Sequence, residues 1–190
     1  MRKNIGWLTW LILAALPLLG GCAAAVIGGA ATGVLVAQDR RTVGTVAEDQ
    51  GIALKAGSRV GERVQNAHIN LTSFNRLILM TGEVPTTAAR DDAERTARGV
   101  ENVRGVYNEL QVASNSALSS RTNDAYLTSK VKARFVDGGK FNAVHVRVVT
   151  ENGVVFLLGM VNRAEGEAAT EIARTTGGVQ KVVRLFEFID

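Results

Sequence analysis

The pattern of apolar and polar positions is clearest in the last third of the chain. Val144, Val146 and Val148 alternate with His145, Arg147 and Val149, the period-two signature of a half-buried strand. Val154 to Leu158 returns after Asn152-Gly153. Asn-Gly predicts a type I′ hairpin, because that turn needs positive φ at both central residues. Ahead of the hairpin Leu127, Val131 and Phe135 recur at four-residue spacing, and Asn123 or Asp124 suits an N-cap, so residues 124–136 are predicted as a helix. Behind it Ala164 to Thr175 is Ala- and Glu-rich with Ile172 as its anchor, and Gly177-Gly178 stops this second helix. Val182 to Ile189 reads as a third strand, giving the order α-β-β-α-β.

The same pattern occurs earlier. Residues 67–84 align without a gap on 144–161, placing His68 on His145, Asn75 on Asn152, Gly82 on Gly159 and Val84 on Val161. After a stretch two residues longer in the second copy, Gly99-Val100 and Val103 meet Gly178-Val179 and Val182. The chain therefore holds two copies of one domain of roughly 70 residues, each small for its own core. They are expected at 45–113 and 122–190, joined by a Ser-rich linker at 114–121. The fold class is α+β, each copy having two helices on one face of a three-stranded mixed sheet. The first helix of the first copy carries Gly51, Gly57 and Gly61 among Glu48, Asp49, Lys55, Arg59, Glu62 and Arg63, which predicts an irregular, water-facing helix. Arg76 in place of Gly153 predicts a different hairpin turn there.

The N-terminus reads as an address. Arg2 and Lys3 precede an uncharged apolar run from Ile5 to Leu19, and Leu19-Gly20-Gly21-Cys22 follows. This is the form of a bacterial lipoprotein signal peptide over 1–21, with Cys22 as the acylated first residue of the mature protein. A transmembrane helix is the rival reading, but Pro17 and Gly20-Gly21 interrupt the run. Residues 22–44 then form a tether, Ala/Gly-rich as far as Ala37. Ala23 after the cysteine favours sorting to the outer membrane, facing the periplasm.

Composition narrows the chemistry. The single Cys excludes a disulfide framework and a zinc site built from several cysteines, and the two His lie far apart in sequence. The net charge of +4 falls when Arg2 and Lys3 are removed, leaving 20 basic against 18 acidic residues. No broad electrostatic footprint for nucleic acid remains. The matching histidines lie on the strand face opposite the valine stripe, as polar residues of an exposed sheet face do. Asp91, Asp92 and Glu94, like Glu165, Glu167 and Glu171, are placed near the starts of second helices, where they favour the dipole. Ser114, Ser116, Ser119 and Ser120 have no nucleophile elbow, and no phosphate loop is present. Neither enzyme chemistry, a metal nor a cofactor is expected.

The repeated Gly-x-Val hairpin exit (Gly82, Val84; Gly159, Val161), followed by an Ala-rich helix and a Gly-Val-x-x-Val entry to the last strand, resembles the BON domain. Two such copies behind the Cys22 motif are similar to dual-BON outer-membrane lipoproteins, as are Asp39 to Gly44 and Thr150 to Leu157. The resemblance implies a non-enzymatic periplasmic lipoprotein that binds anionic, phosphatidylglycerol-like phospholipid through its second BON domain and supports outer-membrane integrity. It also implies a lipid contact at Tyr126, where the family carries Trp, and less securely at Val136. On a helical wheel Tyr126, Ala133 and Val136 lie away from the Leu127 stripe, with Lys130 between and Lys132 less well placed. An aromatic with a polar tip beside cations suits a lipid interface. Packing of Tyr126 against the other domain is the competing expectation. The alternative function is a protein-interaction adaptor, docking outer-membrane assembly or cell-envelope machinery through sheet edges and helices.

Overall fold

The computed structural model describes residues 39–190, so Cys22, the leader and most of the tether lie outside the described residues. The first domain runs α1 (Val43–Arg63), β1 (His68–Phe74), β2 (Leu77–Val84), α2 (Thr87–Arg98), β3 (Gly105–Asn108) and β4 (Gln111–Val112). The second runs α3 (Leu118–Gly138), a 3-10 turn (Ala143–His145), β5 (Val146–Glu151), β6 (Val154–Val161), α4 (Arg163–Arg174) and β7 (Lys181–Phe188). In each domain the hairpin is antiparallel and the last strand returns parallel to its second arm, so the sheet orders are β1-β2-β3 and β5-β6-β7, with β4 also on β2. The αββαβ order and the mixed sheet agree with the sequence reading.

Several local expectations are corrected. The first helix is not irregular: α1 runs unbroken for 21 residues from a Thr42 cap and buries Asp49, Ile52, Ala56 and Val60. Ordered contacts begin before residue 45, since Arg41 already pairs with Asp49 at 2.8 Å. Neither Asn123 nor Asp124 caps α3, whose N-cap is Ala117 without a side-chain bond, so the helix starts at Leu118, ahead of the expected 124, and takes in residues 118–121. Asp124 is instead buried, its carboxylate accepting the backbone N–H groups of Asn152 and Gly153 at 2.8 and 2.9 Å. Asp49 does the same for Asn75 and Arg76, both at 2.7 Å. That shared clamp explains why the two hairpin turns match despite Arg76. Asn75 and Arg76 have φ of 48° and 65°, Asn152 and Gly153 of 49° and 75°.

The repeated glycine has a steric cause. A Cβ at Gly82 would overlap the His68 carbonyl oxygen, and one at Gly159 the His145 carbonyl oxygen, so the hairpin arms approach too closely there for any side chain. The second helices are also placed differently from expectation. Asp91, Asp92 and Glu94 are not in the first turn of α2, and Asp92 and Glu94 pair with Arg95 and Arg98. Of the α4 acids only Glu165 is in the first turn, where it completes a capping box with Asn162.

The largest difference concerns the sheet faces. One face of each sheet packs on its helices: Ile78, Met80 and Val84 against Ile52, Ala56 and Val60, and Val155, Leu157 and Val161 against Val131 and Phe135. The opposite faces are not exposed. Phe74 and Leu79 of the first domain meet Phe156 and Leu158 of the second, with Val149, Val154, Met160, Val183 and Leu185 around them. The two sheets thus stack face to face with helices outside. Each turn asparagine donates across the seam, Asn75 to Glu187 at 2.9 Å and Asn152 to Glu83 at 2.6 Å.

Candidate functional site

The helix α3 orients the residues singled out in the sequence. Its buried side is Asp124, Leu127, Val131 and Phe135, and this stripe turns the opposite side to solvent. Tyr126 and Val136 are 62% and 68% exposed, and Ala133 and Lys132 are also exposed, while Lys130 is half-buried. Tyr126, Lys130, Ala133 and Val136 follow one another at three- and four-residue spacing along a single outward stripe. Tyr126 therefore does not pack against the first domain. The expected N-cap was wrong, yet the outward direction of Tyr126 stands because the buried stripe alone fixes it.

The cations of this helix divide by what they touch. Lys130 donates from Nζ to the Gly177 carbonyl oxygen at 3.0 Å and lies 5.9 Å from the Tyr126 ring centroid. Arg134 donates to the Ile172 carbonyl at 3.0 Å and to Thr176 Oγ1 at 2.7 Å, fastening α3 to the end of α4. Neither is a loose surface charge. Lys132, the less well placed of the two lysines on the wheel, is exposed.

The two histidines are not polar residues of an open face. His145 precedes β5 in the 3-10 turn, and its Nδ1 lies 3.3 Å from Glu165 Oε1. Arg40 grips the same carboxylate with two bonds of 2.6 and 2.9 Å. Burial raises the pKa of Glu165, but Arg40, the Asn162 N–H and His145 outweigh it and hold the carboxyl below its usual range. His68 faces the domain seam, with Nδ1 3.1 Å from Glu83 Oε2 and 3.9 Å from Glu151 Oε1. Burial likewise raises Glu83, and hydrogen bonds from Asn152, the Ser116 N–H and His68 bring it below the ordinary range. This grouping of His68, Glu83 and Glu151 escaped the sequence reading, because Glu151 meets the hairpin pair His68 and Glu83 only through stacking of the sheets. The histidine repeat was the one signal pointing to it.

Among the described residues no helix is long and apolar enough to cross a membrane. The BON domain model matches residues 48–114 and 123–190, the two halves of the repeat. Over 183 residues the chain is 39% identical to Outer membrane lipoprotein DolP of Haemophilus influenzae, covering 95% of each. It is 30% identical over 154 residues to the 21 kDa hemolysin of Actinobacillus pleuropneumoniae, covering 80% of this chain and 79% of that one. To Osmotically-inducible protein Y of Escherichia coli it is 28% identical over 145 residues, covering 74% and 72%. Two αββαβ units, a matching family model for each and near full-length similarity to a named outer membrane lipoprotein lead to one assignment: the chain belongs to the BON-domain family, as a dual-BON protein of the DolP type.

Proposed function

We propose that the protein is an outer-membrane lipoprotein, anchored through Cys22 and facing the periplasm, whose second BON domain lays α3 on anionic phospholipid and so supports envelope integrity. The observation that carries the lipid contact is the exposed stripe of Tyr126, Ala133 and Val136 flanked by Lys130 and Lys132. Tyr126 places an amphipathic ring at head-group depth, and Val136 and Ala133 add apolar surface. Lys132 meets the anionic head groups, and each cation near such a surface contributes about 1 kcal/mol. Lys130, already bound to Gly177, shapes the stripe beside the ring more than it supplies charge. The outer-membrane location follows the named relative from Haemophilus influenzae and the Leu19-Gly20-Gly21-Cys22 pattern.

The test uses protein lacking residues 1–22, since an acyl anchor would bind any bilayer, with vesicles of phosphatidylcholine alone or with phosphatidylglycerol. Binding is expected only with the anionic lipid and to weaken with salt. Tyr126→Asp is expected to abolish it without lowering the melting temperature, because the side chain is exposed. Lys132→Gln is expected to weaken it about fivefold. Unchanged vesicle binding by Tyr126→Asp would refute the lipid face and favour the adaptor reading. For the anchor, fatty-acid label on the full chain is expected to vanish in Cys22→Ser, and label that persists would sink that assignment.

A further inference from the structure

The stacked sheets bury two carboxylates where the packing elsewhere is apolar. Glu83 is 2% and Glu151 7% exposed, and both face the seam that Phe74, Leu79, Phe156 and Leu158 fill. In the repeat alignment Glu83 falls on Met160 and Glu151 falls on Phe74, two residues of that apolar filling. The acids are therefore departures from what the seam otherwise uses. Uncompensated buried charge is unfavourable, and such groups are normally paired or bound to a metal.

The matching place in the second domain shows how such charge is balanced. There His145 approaches one carboxylate, Glu165, and the Arg40 guanidinium holds that carboxylate with two bonds. His68 instead approaches two carboxylates, and among the described residues neither Glu83 nor Glu151 is paired with an Arg or Lys. Arg121 lines the cleft beside them but gives its Nε to Ser116 Oγ. The hydrogen bonds that keep Glu83 ionised leave the cluster short of positive charge.

We propose that His68, Glu83 and Glu151 form a binding site for one divalent transition-metal ion of the zinc type, which ties the first domain to the second. His68 and Glu83 come from the β1-β2 hairpin and Glu151 from the end of β5. One ligand atom from each lies within 4.8 Å of the others. Metal–ligand bonds of about 2.0–2.2 Å separate neighbouring ligand atoms of a tetrahedral site by roughly 3.3–3.5 Å. The observed 3.1 and 3.9 Å from His68 Nδ1 bracket that spacing, so small side-chain rotations close the site. An imidazole with two carboxylates is a donor set for zinc-like ions. The carboxylates are already oriented from behind. Asn152 and the Ser116 N–H hold Glu83, and Asn70 and Thr81 hold Glu151, as outer partners of metal ligands do. A surface cleft of about 420 Å³, lined by His68, Asn70, Thr128 and Glu151, gives the ion an entry path and room for a water in the fourth position.

The experiment takes the full chain in detergent micelles, strips it with EDTA and titrates it with zinc chloride by calorimetry, following the melting temperature in parallel. One ion per chain is expected, and zinc about a hundredfold above its dissociation constant should raise the melting temperature by roughly 5–10 °C. Glu151→Gln and His68→Asn should weaken binding by at least about a hundredfold, whereas His145→Asn should leave it unchanged. Should a variant fail to fold, cobalt replaces zinc on the unaltered chain, and the visible bands of a tetrahedral nitrogen and oxygen site are the expected result. Featureless cobalt spectra would overturn the proposal, as would zinc binding that survives Glu151→Gln in a folded chain. Zinc without effect on the melting temperature would equally overturn the metal.

Discussion

The helices α1 and α3 are two versions of one element. Each is 21 residues long, and each presents a buried carboxylate followed by an apolar stripe: Asp49, Ile52, Ala56 and Val60 in one, Asp124, Leu127, Val131 and Phe135 in the other. Set in that register, the outward positions differ. Gly51, Gly57 and Gly61 stand where α3 has Tyr126, Lys132 and Val136, and Leu54 is the large exposed apolar side chain in the middle of α1. The inward residues fold the domain, and both helices have them. The outward aromatic and apolar residues of α3 are not needed for folding and have no counterpart on α1, whereas Lys130 is matched there by Lys55.

Substitutions at three places test this comparison. The largest effect is expected at the carboxylates. Asp124→Ala strips two turn N–H groups of their acceptor and should cost about 2–4 kcal/mol. Asp49→Ala should cost more, about 3–5 kcal/mol, since Asp49 also pairs with Arg41 and accepts from the Ser73 hydroxyl at 2.6 Å. Denaturant midpoints read both, and equal losses would mean that the Arg41 and Ser73 contacts contribute nothing. Next, a Cβ at Gly51 or Gly61 meets open space. Alanine at each should stabilise α1 by about 1 kcal/mol, and Gly51→Tyr with Gly61→Val should confer anionic-vesicle binding on a Tyr126→Asp chain. No gain of binding would show that the outer stripe is insufficient without its α4 neighbours. The smallest effect is expected at the hairpin. Arg76→Gly relieves a positive φ and should raise the first domain's stability by somewhat under 1 kcal/mol in thermal melts.

Element order, the repeat and the Asn152-Gly153 turn were legible because they depend on neighbours in sequence. The stacking of the sheets was not, although a signal existed. Leu77 to Met80 and Val154 to Leu158 are unbroken apolar runs, and a strand buried on one face only would alternate. Reading the histidines as solvent-facing ignored those runs. The start of α3 was missed because Ala117 offers no capping side chain, which left Asp124 as the nearest cap-like residue. The Arg76 turn was missed because residue preference yielded to a carboxylate reaching in from another element. On α3 the outward direction of Tyr126 was legible, being a matter of helical period, while the bond from Lys130 to Gly177 was not, since that contact is tertiary.

The stacking of the two sheets makes the tandem arrangement an internally satisfied dimer. A lone half would show water the phenylalanine and leucine surface that its sibling normally covers, and that surface adheres to any copy presenting the complementary one. Neighbouring molecules at high concentration offer such copies. The short stretch at 113–117 between β4 and α3 keeps the two halves at a high local concentration, so the sibling within the same chain outcompetes the stranger alongside. Lengthening that stretch would shift the balance towards exchange of halves between molecules, and towards clustering of chains.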